Sequence, residues 1–156
     1  MKRVVCLFSL VVLLAVALGC GPKHDHHAHG AHGHTHDAKH GGVAVELGQE
    51  EFHIEFTYGD KPGVLQAYIL DAHIENYVRV DAPSFTAIAV TGGASHPLLF
   101  TATASAATGE KAGDSSLFEA PLPAAIAGRP ALQLSVPALS IKGRTYSNIT
   151  AKLAAR

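Results

Sequence analysis

The sequence has no tryptophan, one methionine and two cysteines, and only 6% of its residues are aromatic. Cys6 lies within the opening apolar run that is expected to be removed, which leaves Cys20 alone, so neither a disulfide framework nor a multi-cysteine thiolate site is expected. Charge is sparse as well: 16% of residues are charged and the formal net charge is −1, so there is no basic surface for nucleic acid. The longest apolar run, Val4 to Leu18 broken only by Ser9, is short of the roughly 20 residues that cross a bilayer as a helix. Several catalytic signatures are also missing. There is no His-Glu-x-x-His helix, no phosphate-cradling Gly-Lys-Ser/Thr loop, no Gly-x-Ser-x-Gly elbow and no dinucleotide fingerprint. These absences point away from an enzyme.

Histidine is what the chain has in excess. The stretch HDHHAHGAHGHTHDAKH places His24, His26, His27, His29, His32, His34, His36 and His40 within seventeen residues. Imidazole has an unperturbed pKa of about 6.5 and is the commonest metal ligand. His-His and His-x-His spacings let neighbouring rings reach one ion from an extended chain, while Gly, Ala and Thr spacers let that chain wrap. The expected partner is a divalent transition metal: Zn, Cu, Ni or Co. Selectivity should be poor, following availability and the general affinity order that peaks at copper, and affinity should fall as acid protonates the rings. An expression tag would be an uninterrupted terminal run, and a plain soluble spacer would be made of Ser, Gly or Lys.

The start of the chain reads as an export signal. Lys2 and Arg3 precede the apolar run, which is the pattern of a signal peptide that is removed. The following Ala17-Leu18-Gly19-Cys20 resembles the lipobox of bacterial lipoproteins, although that family usually has Leu where Ala17 stands. The resemblance implies a signal peptide over residues 1–19, a lipid on Cys20 and attachment to a membrane through the acylated N-terminus. With Gly21 rather than Asp after the cysteine, it also implies the outer membrane, facing the periplasm. The alternative is ordinary cleavage after Ala15-Val16-Ala17, which would leave Cys20 as a free thiol.

From residue 20 to 41 there is no hydrophobic period, so this segment is expected to be a disordered tether. From residue 42 to 156 the pattern changes. Val43, Val45 and Leu47 alternate with polar or small residues. Phe52, Ile54, Phe56 and Tyr58 then alternate with Glu51, His53, Glu55 and Thr57, predicting a strand pair with one solvated face. Asp60-Lys61-Pro62-Gly63 predicts a turn, and Val64 to Leu70 a central strand. Further strands are expected at 77–80, 85–90, 98–104, 117–120, 131–136 and 144–153, with one helical turn at 123–127. About nine short strands predict an all-β domain: an antiparallel β-sandwich, immunoglobulin-like or otherwise, with a small barrel as the alternative.

Residues 40–71, carrying HGGVAVELG, EEFHIEF and YILD, resemble a short soluble region associated with periplasmic adaptors of heavy-metal efflux pumps. That resemblance implies a setting of metal stress, with a transporter or efflux adaptor as partner. Within the domain, Asp71, His73 and Glu75 would point the same way if their stretch were extended, and could then offer three ligands to an ion; the alternative is a polar strand end with Asp71 turning the chain. His53 is expected on a solvated face and His96 in an exposed turn. The sequence therefore predicts a lipid-anchored envelope protein that captures, buffers or delivers metal. The rival is an interaction module that docks on a transporter or adaptor through a sheet edge, with the tract secondary.

Overall fold

A computed structural model describes residues 37–156 of the chain. The eight strands are β1 (Val43–Leu47), β2 (Phe52–Tyr58), β3 (Val64–Asp71), β4 (Ser84–Thr91), β5 (Ala94–Ala102), β6 (Leu117–Pro121), β7 (Leu132–Ile141) and β8 (Arg144–Leu153), with a 3-10 turn at Ala124–Ile126. All ladders are antiparallel and join the strands into one sheet, in the order β1-β2-β3-β6-β5-β4-β7-β8. The sheet is nearly closed, so the all-β antiparallel class expected from the sequence is what forms. Hydrogen bonding is continuous through a single wall wrapped around a common core.

Turn chemistry sets much of this register. Gly92 and Gly93 both take positive φ between Thr91 and Ala94, as a two-residue hairpin turn between right-twisted strands requires. Lys142 and Gly143 do the same between β7 and β8. The turn predicted around Pro62-Gly63 joins β2 to β3, with Gly63 at φ +73.

The period-two pattern sends Ile54, Phe56, Leu65, Ile69, Phe100, Phe118, Leu134 and Ile141 into the interior, each fully buried. Four phenylalanines meet at its centre. Phe85 stacks on Phe100 with ring centroids 4.8 Å apart, Phe118 lies 5.2 Å from Phe85, and Phe56 meets Phe100 edge-on at 5.8 Å. With no tryptophan, these rings carry the bulk of the aromatic packing.

Two expected elements differ from the structure. Residues 77–80 form isolated bridges, Leu70 with Tyr77 and Val80 with Ser115, instead of a ladder strand. β5 starts at Ala94, so His96 and Pro97 lie in a strand, and His96 is half-buried opposite Ala89. Pro97 is tolerated there because β6 pairs with β5 only at Thr101 and Ala102, so no second ladder asks for its missing N–H.

The two end strands, β1 and β8, lie side by side without a ladder among the described residues. Side chains close this seam instead. The Glu51 carboxylate accepts from the Arg144 guanidinium and the Tyr146 hydroxyl, and the Arg156 guanidinium donates to the Gly41 carbonyl. A cleft of about 390 Å³ opens along the seam beside Val45, Leu47, Tyr146 and Asn148, and Asn148 takes φ +57 within β8.

Candidate functional site

β2 is buried on both faces. Ile54, Phe56 and Tyr58 point into the core, and His53, Glu55 and Thr57 on the opposite face are 4%, 0% and 4% exposed. The solvated face expected there is thus a correction. The reason lies in the chain just before β1, which folds back over this face.

Two glycines make that fold-back possible. Gly41 takes φ +67, and a Cβ on Gly42 would sit 2.2 Å from the Phe56 carbonyl oxygen, closer than any side chain allows. The close approach brings Glu55 three N–H donors. Its Oε1 accepts from the backbone N–H groups of His40 (2.8 Å) and Gly42 (2.9 Å), and its Oε2 accepts from His40 Nδ1 (2.9 Å). A carboxylate is an acceptor-only group, and this donor set matches it.

His40 is fixed on every side. Its ring stacks on Tyr68 with centroids 3.6 Å apart and planes 8° from parallel. Tyr68 is the direct cross-strand neighbour of Glu55, so the β2–β3 register itself places acid and aromatic side by side. Nε2 of His40 lies 2.9 Å from the Tyr77 hydroxyl, which the Leu70–Tyr77 bridge holds in place. Burial pushes the Tyr68 hydroxyl pKa up, and the nearby Tyr77, Asp60, Glu119 and Glu55 add to the shift, so it stays a neutral phenol. Lys39 lies 4.5 Å over the Tyr77 ring. Beyond the two tyrosines a cleft of about 350 Å³ continues past Arg79, Thr108 and Glu110.

Of the histidines in the tract, only His40 falls among the described residues; His24, His26, His27, His29, His32, His34 and His36 lie outside them, as does Cys20. His40 and Gly41, just ahead of the domain expected from residue 42, bond to it through Glu55 and Arg156. His53 sets Nδ1 3.2 Å from the Asp71 carbonyl oxygen.

Asp71, His73 and Glu75 are not extended; Asp71 ends β3 and turns the chain, as the alternative reading had it. Its Oδ1 accepts from the N–H groups of Glu75 and Asn76 and its Oδ2 from the Asn76 amide. Desolvation raises the Asp71 pKa, but the bonds from Asn76, Glu75 and His73 outweigh it and hold the carboxyl below its ordinary value. Among the described residues, no group of three or more His, Cys, Asp or Glu side chains is arranged to hold a metal.

Glu55, Tyr68 and Tyr77 are the site residues that the sequence did not single out. The one local signal was His40-Gly41-Gly42, where two glycines follow the last histidine of the tract.

Taken together, the described residues define a small antiparallel β-domain whose leading histidine is gripped by a buried carboxylate. No family model matches the chain, and no curated protein or solved structure matches it.

Proposed function

We propose that the protein captures divalent transition metal, Zn, Cu, Ni or Co, through its histidine tract in the bacterial cell envelope, outside the cytoplasm. The observation that carries this reading is the density of the tract, eight histidines in seventeen residues. Many combinations of four imidazoles can complete a tetrahedral shell, which suits rapid loading and release better than a closed structural site. Lipid on Cys20 would keep the tract near the membrane, outer-membrane attachment facing the periplasm being the reading its flanking residues favour. The β-domain would hold the far end of the tract, and a transporter or efflux adaptor would receive the ions.

Calorimetry with Zn, Ni and Cu tests this on the full chain against a variant in which the seven histidines from His24 to His36 are serines. Several equivalents of metal should bind the parent and few the variant. Equal uptake by both would sink the proposal.

A second reading, in which the domain docks on an envelope partner, draws support from the seam, because β8 has an outer edge that no ladder covers among the described residues. Deleting residues 24–40 separates the two: metal tolerance that survives the deletion favours docking.

A further inference from the structure

We infer that the outer face of the β4–β5 hairpin is a docking surface for a second copy of this chain, the two copies meeting face to face about a two-fold axis. The inference goes beyond the metal-capture reading and uses no residue of the tract.

From residue 82 to residue 109 the sequence has no Asp, Glu, Lys or Arg, although 16% of the chain is charged. The one titratable side chain there, His96, is half-buried and pairs with Ala89, so alternation puts it on the other face of the hairpin from Ile88 and Pro97. The described residues expose three large hydrophobic side chains, and two of them are here: Ile88 at 43% and Leu99 at 52%. They are neighbours. Ile88 pairs directly with the exposed Pro97, and Leu99, paired with Thr86, stands diagonally beside it on the same face. Across the next ladder Ser135 lies beside Ile88 and Gln133 beside Val90, so the rim is polar but uncharged. Charge returns farther out on that face, at Glu119, opposite Thr101 and bonded to Gln66, and at Lys152, opposite Gln133. A contiguous apolar centre inside an uncharged polar rim has the make-up of an interface core, which solitary surface hydrophobics lack.

Symmetry names the occupant. In a two-fold contact the side chains near the axis meet their own copies, so a charge there would face a like charge, and a surface without charge is the one that can pair with itself. A lipid surface is a poorer match. The tip of this hairpin is Gly92-Gly93, with Ile88 and Leu99 set back in mid-strand, and the face has no Lys, Arg or Trp to hold it at a headgroup layer. Pro97 decides between edge and face. β6 leaves most of the β5 edge without a ladder, the kind of edge on which strands add without limit, and Pro97 there offers no N–H. The edge is thus blunted while the face beside it carries nothing that repels a copy. Because the sheet nearly closes on itself, its outer face is convex, and the contact belongs with small, transient interfaces.

Sedimentation velocity of the full chain tests this from about 1 µM to about 200 µM, the range in which small interfaces assemble. The parent should pass from monomer to dimer as concentration rises. Leu99→Lys and Leu99→Glu, both at an exposed position, should each weaken the dimer at least about tenfold by setting like charges across the axis. Mixed in equal amounts the two should form dimer again, because unlike charges then lie within about a Debye length, roughly 8 Å, of each other. Ile88→Thr, which suits a strand and adds no charge, should weaken the parent dimer severalfold. A parent that stays monomeric throughout overturns the inference, and if it then floats with phosphatidylcholine vesicles unless Leu99 is Lys, the face belongs to a lipid surface. Association equal in the parent and all three variants overturns it as well, since another part of the chain is then responsible. Charge variants that weaken the dimer without rescuing one another overturn the two-fold arrangement.

Discussion

Glu55 shows how much one side chain can depend on a segment that folds over it. Alternation along β2 correctly put it opposite Phe56, and on that basis its face was expected to meet water. What no periodicity could convey is that Gly41 and Gly42 let the preceding chain approach within contact of the strand backbone. Glu55→Ala leaves the N–H groups of His40 and Gly42 without their acceptor and should cost about 3 kcal/mol in urea unfolding, at the upper end for stranding buried donors. Gly42→Ala forces the strand and the fold-back apart and should cost a similar amount, about 3 kcal/mol. An unchanged midpoint in either variant would show that the fold-back is not held as described. Acid offers a further check at this scale. Asp71 and Glu110 are both raised by desolvation but lowered further by hydrogen bonds, from Asn76 and from Ser116 respectively, so each sits below its ordinary value in the folded state. A depressed carboxyl stabilises the fold above its unfolded pKa and loses that contribution as pH falls through the folded one. Stability should therefore decline below about pH 4, the ordinary carboxylate range, and Asp71→Asn should flatten that decline in a pH series of thermal melts.

Strands and turns were the most legible part of the chain, since each rests on a short-range rule. Residues 144–153 were expected as a strand and form β8 with the same bounds, and Gly-Gly and Pro-Gly pairs fall where strands reverse. The misses came where a neighbour decides the outcome. His96, just before Pro97 and close to Gly92-Gly93, reads as part of an exposed turn, yet β5 keeps both residues since one of its flanks is open. Residues 77–80 have strand composition but find partners only at single bridges. The metal constellation at Asp71, His73 and Glu75 needed an extended backbone, and the hydrogen bonds of Asp71 turn it instead. At the centre of these elements, Phe100 touches Phe56 and Phe85 from β2 and β4. Phe100→Ala should destabilise the domain by about 3–5 kcal/mol, read as a lowered denaturation midpoint. A loss under 1 kcal/mol would mean the aromatic centre packs differently.

For the whole molecule, the succession of short alternating runs carried the all-β class and the histidine tract carried the proposed function, whereas the join between them was hidden. Nothing in the spacing of eight histidines distinguishes His40 from the other seven; the distinction arises only when β2 and β3 set Glu55 beside Tyr68. Metal uptake should weaken as pH drops below about 6.5, where ordinary imidazoles gain protons. Zinc bound at pH 7.5 and released at pH 5.5, measured by equilibrium dialysis, is the expected result, and retention at the lower pH would point to carboxylate ligands. The side-chain closure between β1 and β8 has a bearing on how the wall comes apart. Amides of Val43 to Leu47 that do not bond β2 face no second ladder among the described residues, so they should trade deuterium early, and the wall should unzip there first while the ring of phenylalanines still holds its far side together.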